Sequence, residues 1–100
     1  MLIYNVTLKI DNQVHDDWLT WMKSKHIPDV MATGCFKDSK IFKLLYQDEQ
    51  DGKTYAIQYT VSDEKALNNY TKNFAPKLQE EHTNRYKDKF VAFRTIMEVA

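Results

Sequence analysis

The stretch TYAIQYTVSDE (residues 54–64) contains the end of one secondary-structure element and the start of another. Up to Val61, apolar and polar side chains alternate, which is typical of a β-strand with one buried face. Ser62 is then suited to cap a helix, and Asp63 and Glu64 fall in its first turn, where the helix dipole favours acidic side chains. The stretch therefore predicts a strand that passes directly into a helix.

On the C-terminal side, apolar and aromatic residues recur every three or four positions, as on one face of a helix. This stripe consists of Leu67, Tyr70, Phe74, Leu78, His82 and Tyr86. Pro76 lies inside the predicted helix and should kink it or divide it in two. Beyond the helix, residues 90–99 predict the last strand.

On the N-terminal side, an acidic loop separates this central strand from an earlier strand, predicted for residues 35–46. Asp51-Gly52 at the end of the loop is a strong hairpin-turn signal. Phe42, Leu44 and Tyr46 are expected on one face of the earlier strand, because side chains alternate along a strand.

The first third of the chain repeats the order of strand and helix. Residues 2–10 alternate between apolar and polar side chains and predict a strand. Residues 15–25 have helical spacing, and Pro28 is expected to end or kink this helix. Pro28 also suits the start of a short helical turn through residues 29–32, with Gly34 as a left-handed stop.

The order of elements is therefore strand, helix, strand, strand, helix, strand. Two such halves predict an α+β, ferredoxin-like βαββαβ fold, in which a four-stranded antiparallel sheet carries two helices on one face. The length of 100 residues predicts that residues 1–100 form a single domain.

The composition excludes several classes of protein and site. The 14 basic and 14 acidic side chains give a formal net charge of zero. This balance argues against a dedicated nucleic-acid-binding protein, which needs a basic face. The single cysteine, Cys35, excludes an internal disulfide and any multi-cysteine metal site.

Signals for export or membrane insertion are not found in the sequence. Residues 1–5 lack the positive and apolar regions of a signal peptide. No window approaches the roughly 18 consecutive apolar residues of a membrane-spanning helix. We therefore expect a cytoplasmic protein that does not bind membranes.

In the predicted fold the helices cover only one face of the sheet. The other face is expected to carry Ile3, Asn5, Thr7, Ala56 and Gln58 and, on one interpretation of the last strand, Ala92, Arg94 and Ile96. This surface is more apolar than a free surface should be, so we expect a homodimer that packs sheet on sheet. Arg94 would then either pair with Glu98 or an amide, or bind an anionic ligand.

Three segments carry a resemblance to a known family. They are residues 4–7 (YNVT), residues 18–34 with the run HIPDVMATG at their end, and residues 90–95 (FVAFRT). Together they resemble a small bacterial family of unknown function, DUF4286, over nearly the whole chain. That family is similar to the dimeric α+β barrel superfamily, which includes monooxygenases, haem-degrading enzymes, isomerases and ligand-binding proteins. The resemblance implies the fold and the dimer, but no particular reaction.

The helix exit around His26 is similar to a region that lines a cavity in several branches of the superfamily. His26 follows Met22 by four residues, and a helix C-terminus would stabilise its protonated form. Asp29 could orient the ring, so that His26 acts as a general acid or base. The alternative is that the ring packs on Trp18 or Trp21 and a ring nitrogen binds a local carbonyl.

Haem-degrading and quinone-type monooxygenases of the superfamily place an Asn on the first strand and a Trp, sometimes with a His, on the second long helix. Asn5 and His82 match this pattern, but both tryptophans of the chain lie on the first helix. We therefore expect neither haem nor another cofactor. No convergent set of ligands predicts a metal site.

Three functions remain open. The first is a small-molecule-binding protein whose ligand is apolar or aromatic with a polar or anionic end. Its cavity would lie between the sheet and the helices and be lined by Trp18, Trp21, Met22, His26, Tyr70 and Phe74, with a polar contribution from Asn5, Gln58 or Arg94. The second is a cofactor-free monooxygenase or isomerase with His26 as general base, oriented by Asp29. The third is a structural or partner-binding homodimer without a ligand.

Overall fold

The computed structural model describes residues 1–100 and contains one four-stranded antiparallel sheet. The strands are β1 (Leu2–Asp11), β2 (Asp38–Lys43), β3 (Gly52–Val61) and β4 (Phe90–Glu98), in the spatial order β2-β3-β1-β4. Alternate side chains of β1 and β3 are buried beneath the helices, which cover one face of the sheet. The predicted α+β, ferredoxin-like fold is confirmed.

The first helical segment continues through Pro28, where the sequence predicts an end or a kink. Helix α1 (His15–Trp21) passes into a π-helical turn (Met22–His26), and α2 (Ile27–Ala32) follows directly. Proline lacks an N–H group, and its ring crowds the carbonyl four residues earlier. The wider π-helical turn before Pro28 relieves this crowding, so the segment continues. It stops before Gly34, whose φ of 77° lies in the left-handed region.

The second helical segment is divided near Pro76, as the sequence predicts. Helix α3 (Glu64–Asn73) ends at Phe74, whose φ of −124° is not helical, and α4 (Ala75–Arg85) has Pro76 in its first turn. None of the helices is long and apolar enough to cross a membrane.

The start of α3 differs by one residue from the prediction. Asp63, and not Ser62, caps this helix, because the Asp63 carboxylate accepts a hydrogen bond from the Ala66 backbone N–H at 2.9 Å. Both residue types can cap a helix, so composition alone does not select between them.

Strand β2 is shorter than the predicted strand of residues 35–46. It ends at Lys43, and Tyr46 has a φ of 59°, which takes the chain out of the extended conformation. Phe42 lies opposite Ala56 and therefore faces away from the helices, where it is 45% exposed. Phe42 and Tyr46 consequently do not share a strand face.

The strand register decides which face each β4 side chain joins. Val6 lies opposite Arg94, and Leu8 lies opposite Ala92. Residues directly opposite each other point to the same side of a sheet, and Val6 and Leu8 point toward the helices. The interpretation that places Ala92, Arg94 and Ile96 on the other face is therefore wrong.

The face of the sheet opposite the helices, here called the open face, has no element packed on it. It carries Ile3, Asn5, Thr7, Ala56 and Gln58, together with Phe42, Val91, Phe93, Thr95 and Met97 and the charged residues Lys9, Asp38 and Lys40. Phe93 is 63% exposed and Val91 is 69% exposed. The open face therefore carries more large apolar side chains than the sequence predicts, beside these charged residues.

The core between the sheet and the helices is rich in aromatic rings. Trp18 has no exposed surface, and the rings of Phe36 and Tyr70 lie 4.6 Å apart in an edge-to-face arrangement. Tyr4 and Tyr59 extend this cluster across the sheet. Three rings of this cluster, Tyr4, Tyr59 and Tyr70, border a cavity between the sheet and the helices.

Candidate functional site

A cavity of about 210 Å³ lies between the sheet and the helices. Its apolar lining includes Leu8, Met22, Val30, Ile57 and Leu78, and its polar lining consists of Tyr4, His26, Tyr59, Tyr70, Gln79, His82, Thr83 and Arg94. No aspartate or glutamate contributes to the lining. The chain contains no group of three His, Cys, Asp or Glu side chains that could hold a metal ion.

Arg94 is the only cationic side chain of the cavity lining. It lies on the edge strand β4, and its Nε donates a hydrogen bond to the Tyr4 hydroxyl at 3.0 Å. No ion pair links Arg94 to a carboxylate of this chain, so the predicted pairing with Glu98 is wrong. Four N–H groups of the guanidinium remain after the bond to Tyr4.

His26, the last residue of the π-helical turn, contributes an unpaired nitrogen to the site. Its Nδ1 is buried without a hydrogen-bond partner, and its ring packs against Trp21 with centroids 5.2 Å apart. Burial lowers the pKa of His26 below its usual value. The expected stabilisation of the protonated form is absent, because the helical segment continues into α2 and does not end at His26.

Asp29 does not orient His26, contrary to the prediction. Its carboxylate forms an ion pair with the Lys25 ammonium group, four residues earlier on the same face of the helix. His26 Nδ1 has no partner at all. The expected pair of general base and orienting carboxylate is therefore not assembled.

His82 lines the cavity from α4 and is fixed by Trp18. The Trp18 indole Nε1 donates a hydrogen bond to His82 Nε2 at 2.9 Å, so the neutral imidazole carries its proton on Nδ1. Burial, with smaller contributions from His26 and Arg94, lowers the pKa of His82 to about 4. The His26 and His82 rings lie edge to face with centroids 5.7 Å apart. The site thus holds two neighbouring imidazoles that are neutral near pH 7.

Two tyrosines supply neutral hydroxyl groups to the same cavity. Burial raises the pKa of Tyr59 and of Tyr70 above the usual range of a phenol. Both therefore remain protonated and can donate or accept hydrogen bonds. The arrangement can hold a small molecule, donate hydrogen bonds to it and accept a proton at an imidazole nitrogen.

Four of the predicted site residues line the cavity, namely Met22, His26, Tyr70 and Arg94. Trp18 and Trp21 do not; they lie behind the lining, where Trp18 bonds His82 and Trp21 packs on His26. Phe74 packs against the core at the junction of α3 and α4 without reaching the cavity.

Asn5 and Gln58 lie on the wrong side of the sheet to contact the cavity. They are directly opposite each other in the pairing of β1 with β3, on the open face. Asn5 is only 8% exposed, and its Oδ1 is buried without a hydrogen-bond partner. Their predicted contribution to the cavity is therefore wrong.

Three important lining residues are not among the predicted residues of the site. Tyr4 and Tyr59 belong to the apolar faces of their strands, and His82 belongs to the helical stripe that starts at Leu67. A polar group on an otherwise apolar face is the signal that could identify them, because such a group is buried and needs a partner.

Several solved structures have a similar fold. An ethyl tert-butyl ether D (EthD) family protein from Bacillus halodurans c-125 matches with a TM-score of 0.73 at 12% identity, over 100% of both chains. SnoaB, a cofactor-independent oxygenase from Streptomyces nogalater, matches with a TM-score of 0.64 at 9% identity, over 98% of this chain and 92% of its own. MhuD, in a structure with two manganese protoporphyrin IX bound per active site, has a TM-score of 0.71 at 11% identity, over 100% of this chain and 95% of its own. At these identities the similarity shows the fold alone.

One sequence family covers the entire chain. Its description is "Domain of unknown function (DUF4286)", and it matches residues 1–100. No protein with curated annotation matches the sequence. The predicted resemblance, based on three separate segments, is confirmed: the chain belongs to the DUF4286 family.

Proposed function

We propose that this protein binds a small molecule, with an apolar or aromatic body and a polar end, in the cavity between the sheet and the helices. The observation that carries the proposal is the cavity itself. Protein interiors are close-packed and contain few voids larger than a water molecule. A space of about 210 Å³ that combines apolar side chains with several convergent polar groups has the character of a small ligand site.

The cavity volume limits the size of the ligand. An apolar cavity of about 150 Å³ takes up benzene. The present cavity, at about 210 Å³, has room for one substituted aromatic ring or a compact branched chain. Sites for drug-sized molecules begin at about 300 Å³, and a porphyrin is far larger than this cavity. We therefore infer a ligand with a single ring or of comparable size.

Native mass spectrometry of the freshly purified protein tests this proposal. We expect a peak with extra mass that disappears on denaturation, and extraction should release the compound for identification. Bare protein, with no compound on extraction, would contradict the proposal and favour a structural homodimer without a ligand.

A variant that fills the cavity provides the control. Ala92→Phe places a ring where Ala92 now lines the cavity, and it should abolish the extra mass. Thr20→Phe adds the same ring at an exposed position on α1 and should leave the extra mass unchanged. Equal occupancy in both variants would place the bound compound outside the cavity.

A second candidate function is a cofactor-free reaction on the same ligand, and the unpaired Nδ1 of His26 favours it. A buried imidazole that is neutral and without a partner can accept a proton from an acidic C–H group. In an isomerase, the imidazolium formed would return the proton to a different carbon of the substrate. SnoaB, which has a similar fold, is described as a cofactor-independent oxygenase.

Hydrogen exchange separates this reaction from simple binding. A compound extracted from the protein would be incubated with it in deuterium oxide and followed by mass spectrometry. A reacting enzyme would place deuterium on carbon, and His26→Gln would stop this exchange while the compound still binds. Binding without exchange in the wild-type protein would leave only the binding function.

We further propose that the open face pairs with the open face of a second copy. Phe93, Val91 and Phe42 expose large apolar surfaces there, which favours a partner. A net charge of zero gives two copies no overall repulsion.

A further inference from the structure

We propose that the ligand of the cavity is a monocarboxylate, whose carboxylate binds the guanidinium of Arg94 while its apolar body fills the space beneath. This inference rests on the proposed binding function and names the chemical class of the ligand. It follows from the charge of the lining, the free donors of Arg94 and the lack of a second cation.

The charged side chains of the cavity lining are all of one sign, although Glu81 and Asp29 lie near His26 outside the lining. The lining contains one permanent cation, Arg94, and no aspartate or glutamate, although the whole chain has a net charge of zero. The two imidazoles of the lining are neutral near pH 7 because of their burial. Arg94 is exposed to solvent, and no carboxylate of the chain pairs with it, so the lining offers an anion one free cation.

Arg94 is also held in position to receive that anion. Its Nε donates to the Tyr4 hydroxyl at 3.0 Å, and Tyr4 is itself only 4% exposed and packed against Phe36. The remaining N–H groups, on the two Nη atoms, make no hydrogen bond within the chain. Such a pair of parallel donors matches the two oxygens of a carboxylate.

The number of cations distinguishes a carboxylate from a phosphate. A phosphate group carries up to two negative charges and is usually bound by several cations, a glycine-rich loop or a helix N-terminus. No lysine lines the cavity, and the only glycines of the chain, Gly34 and Gly52, lie outside it. One guanidinium next to an apolar space fits a singly charged acid.

Matched acid and amide probes test the proposal by calorimetry. Phenylacetate and phenylacetamide have nearly the same shape and differ in charge, and toluene probes the cavity without any polar group. We expect phenylacetate to bind the wild-type protein at least about 10-fold more tightly than phenylacetamide, as is usual for hydrogen bonds to charged groups. Arg94→Gln should remove this preference, and Arg94→Lys should retain part of it because it keeps the charge without the planar fork.

The outcomes separate the ligand class from the binding function. Equal affinity of the wild-type protein for phenylacetate and phenylacetamide would overturn the assignment of a monocarboxylate ligand. An unchanged acid preference in Arg94→Gln would do the same. If toluene still binds in either case, the proposed binding function of the cavity stands. Failure of all three probes to bind would contradict the cavity function as well. If Arg94→Gln does not fold by circular dichroism, a reduced acid preference in Arg94→Lys decides the same point.

Discussion

His82 shows how a single side chain links the hydrophobic core to the cavity. Its Nε2 accepts the indole hydrogen bond of Trp18, and its ring meets Phe90 edge to face at 4.5 Å. Burial among these rings lowers the pKa of His82 to about 4, so the folded protein holds this imidazole neutral. Protonation would place a charge inside the protein, and Nε2 could then no longer accept the hydrogen bond from Trp18.

We predict that His82 makes the protein less stable as the pH falls from about 6.5 to about 4. In this range the unfolded chain binds a proton at His82 and the folded protein does not, so acid favours unfolding. The part of the free energy of unfolding that depends on a neutral His82 is fully present above the pKa of the unfolded chain. Its complete loss lowers the free energy of unfolding by at most about 3 kcal/mol. Urea denaturation at about pH 7.5 and about pH 4.5 measures it.

His82→Gln is the matched control, because the amide oxygen can still accept from Trp18 but does not titrate. The loss of stability on acidification should be clearly smaller in this variant than in the wild-type protein. The same loss in both proteins would show that His82 is not responsible.

Arg94 illustrates what cannot be predicted at the scale of one residue. The last strand has apolar residues at both odd and even positions, so its pattern does not identify the buried face. Only the register with β1, in which Arg94 lies opposite Val6, places the guanidinium beside the cavity. The position of His26 on the inner stripe of its helical segment, by contrast, can be predicted, because helical spacing from Met22 determines it.

At the scale of elements, the two glycines act at different kinds of position. Gly52 begins β3 opposite Asp11, and a Cβ atom there would lie 2.5 Å from the Ile10 carbonyl oxygen. Gly34 has a left-handed φ of 77°, but a Cβ atom at this residue would meet no other atom within 4 Å. Gly52 is therefore required by close packing, and Gly34 by its backbone conformation.

We predict that Gly52→Ala destabilises the protein more than Gly34→Ala does. The first substitution forces two strands apart and should cost about 3 kcal/mol, at the upper end for overpacking. The second adds only the strain of a left-handed alanine, about 1 kcal/mol. Midpoints of urea denaturation compare the two variants, and a milder effect at Gly52 than at Gly34 would contradict this assignment.

The order and type of the elements can be predicted from the sequence, but their ends cannot. Alternation and helical spacing are long-range patterns, and they identify every strand and both helical segments. The continuation through Pro28 depends on a π-helical turn that has no sequence pattern of its own. The end of β2 at Lys43 depends on a left-handed residue, Tyr46, that is not glycine.

At the scale of the whole molecule, the open face exposes large apolar side chains that no other element covers. We predict that the protein is a dimer in solution and that Phe93→Asp makes it a monomer, because the charge would be buried between the two sheets. Sedimentation equilibrium measures the mass of each species. Asn68→Asp adds the same charge on the exposed surface of α3 and should leave the dimer intact.

A monomeric wild-type protein at micromolar concentration would contradict this pairing. So would a Phe93→Asp variant that remains dimeric, since the interface would then lie elsewhere. Dimerisation that is lost equally in Asn68→Asp would point to a general effect of charge and not to the open face.

The entry of a small apolar molecule into the cavity is tested most directly by methyl NMR during a toluene titration. Ile57 lines the cavity and is 1% exposed, whereas Ile3 lies on the opposite face of the same sheet. We expect saturable shifts of the Ile57, Val30 and Leu78 methyl signals, with those of Ile3 unchanged. Shifts confined to Ile3, or no saturable shift at Ile57, would contradict a ligand-binding cavity.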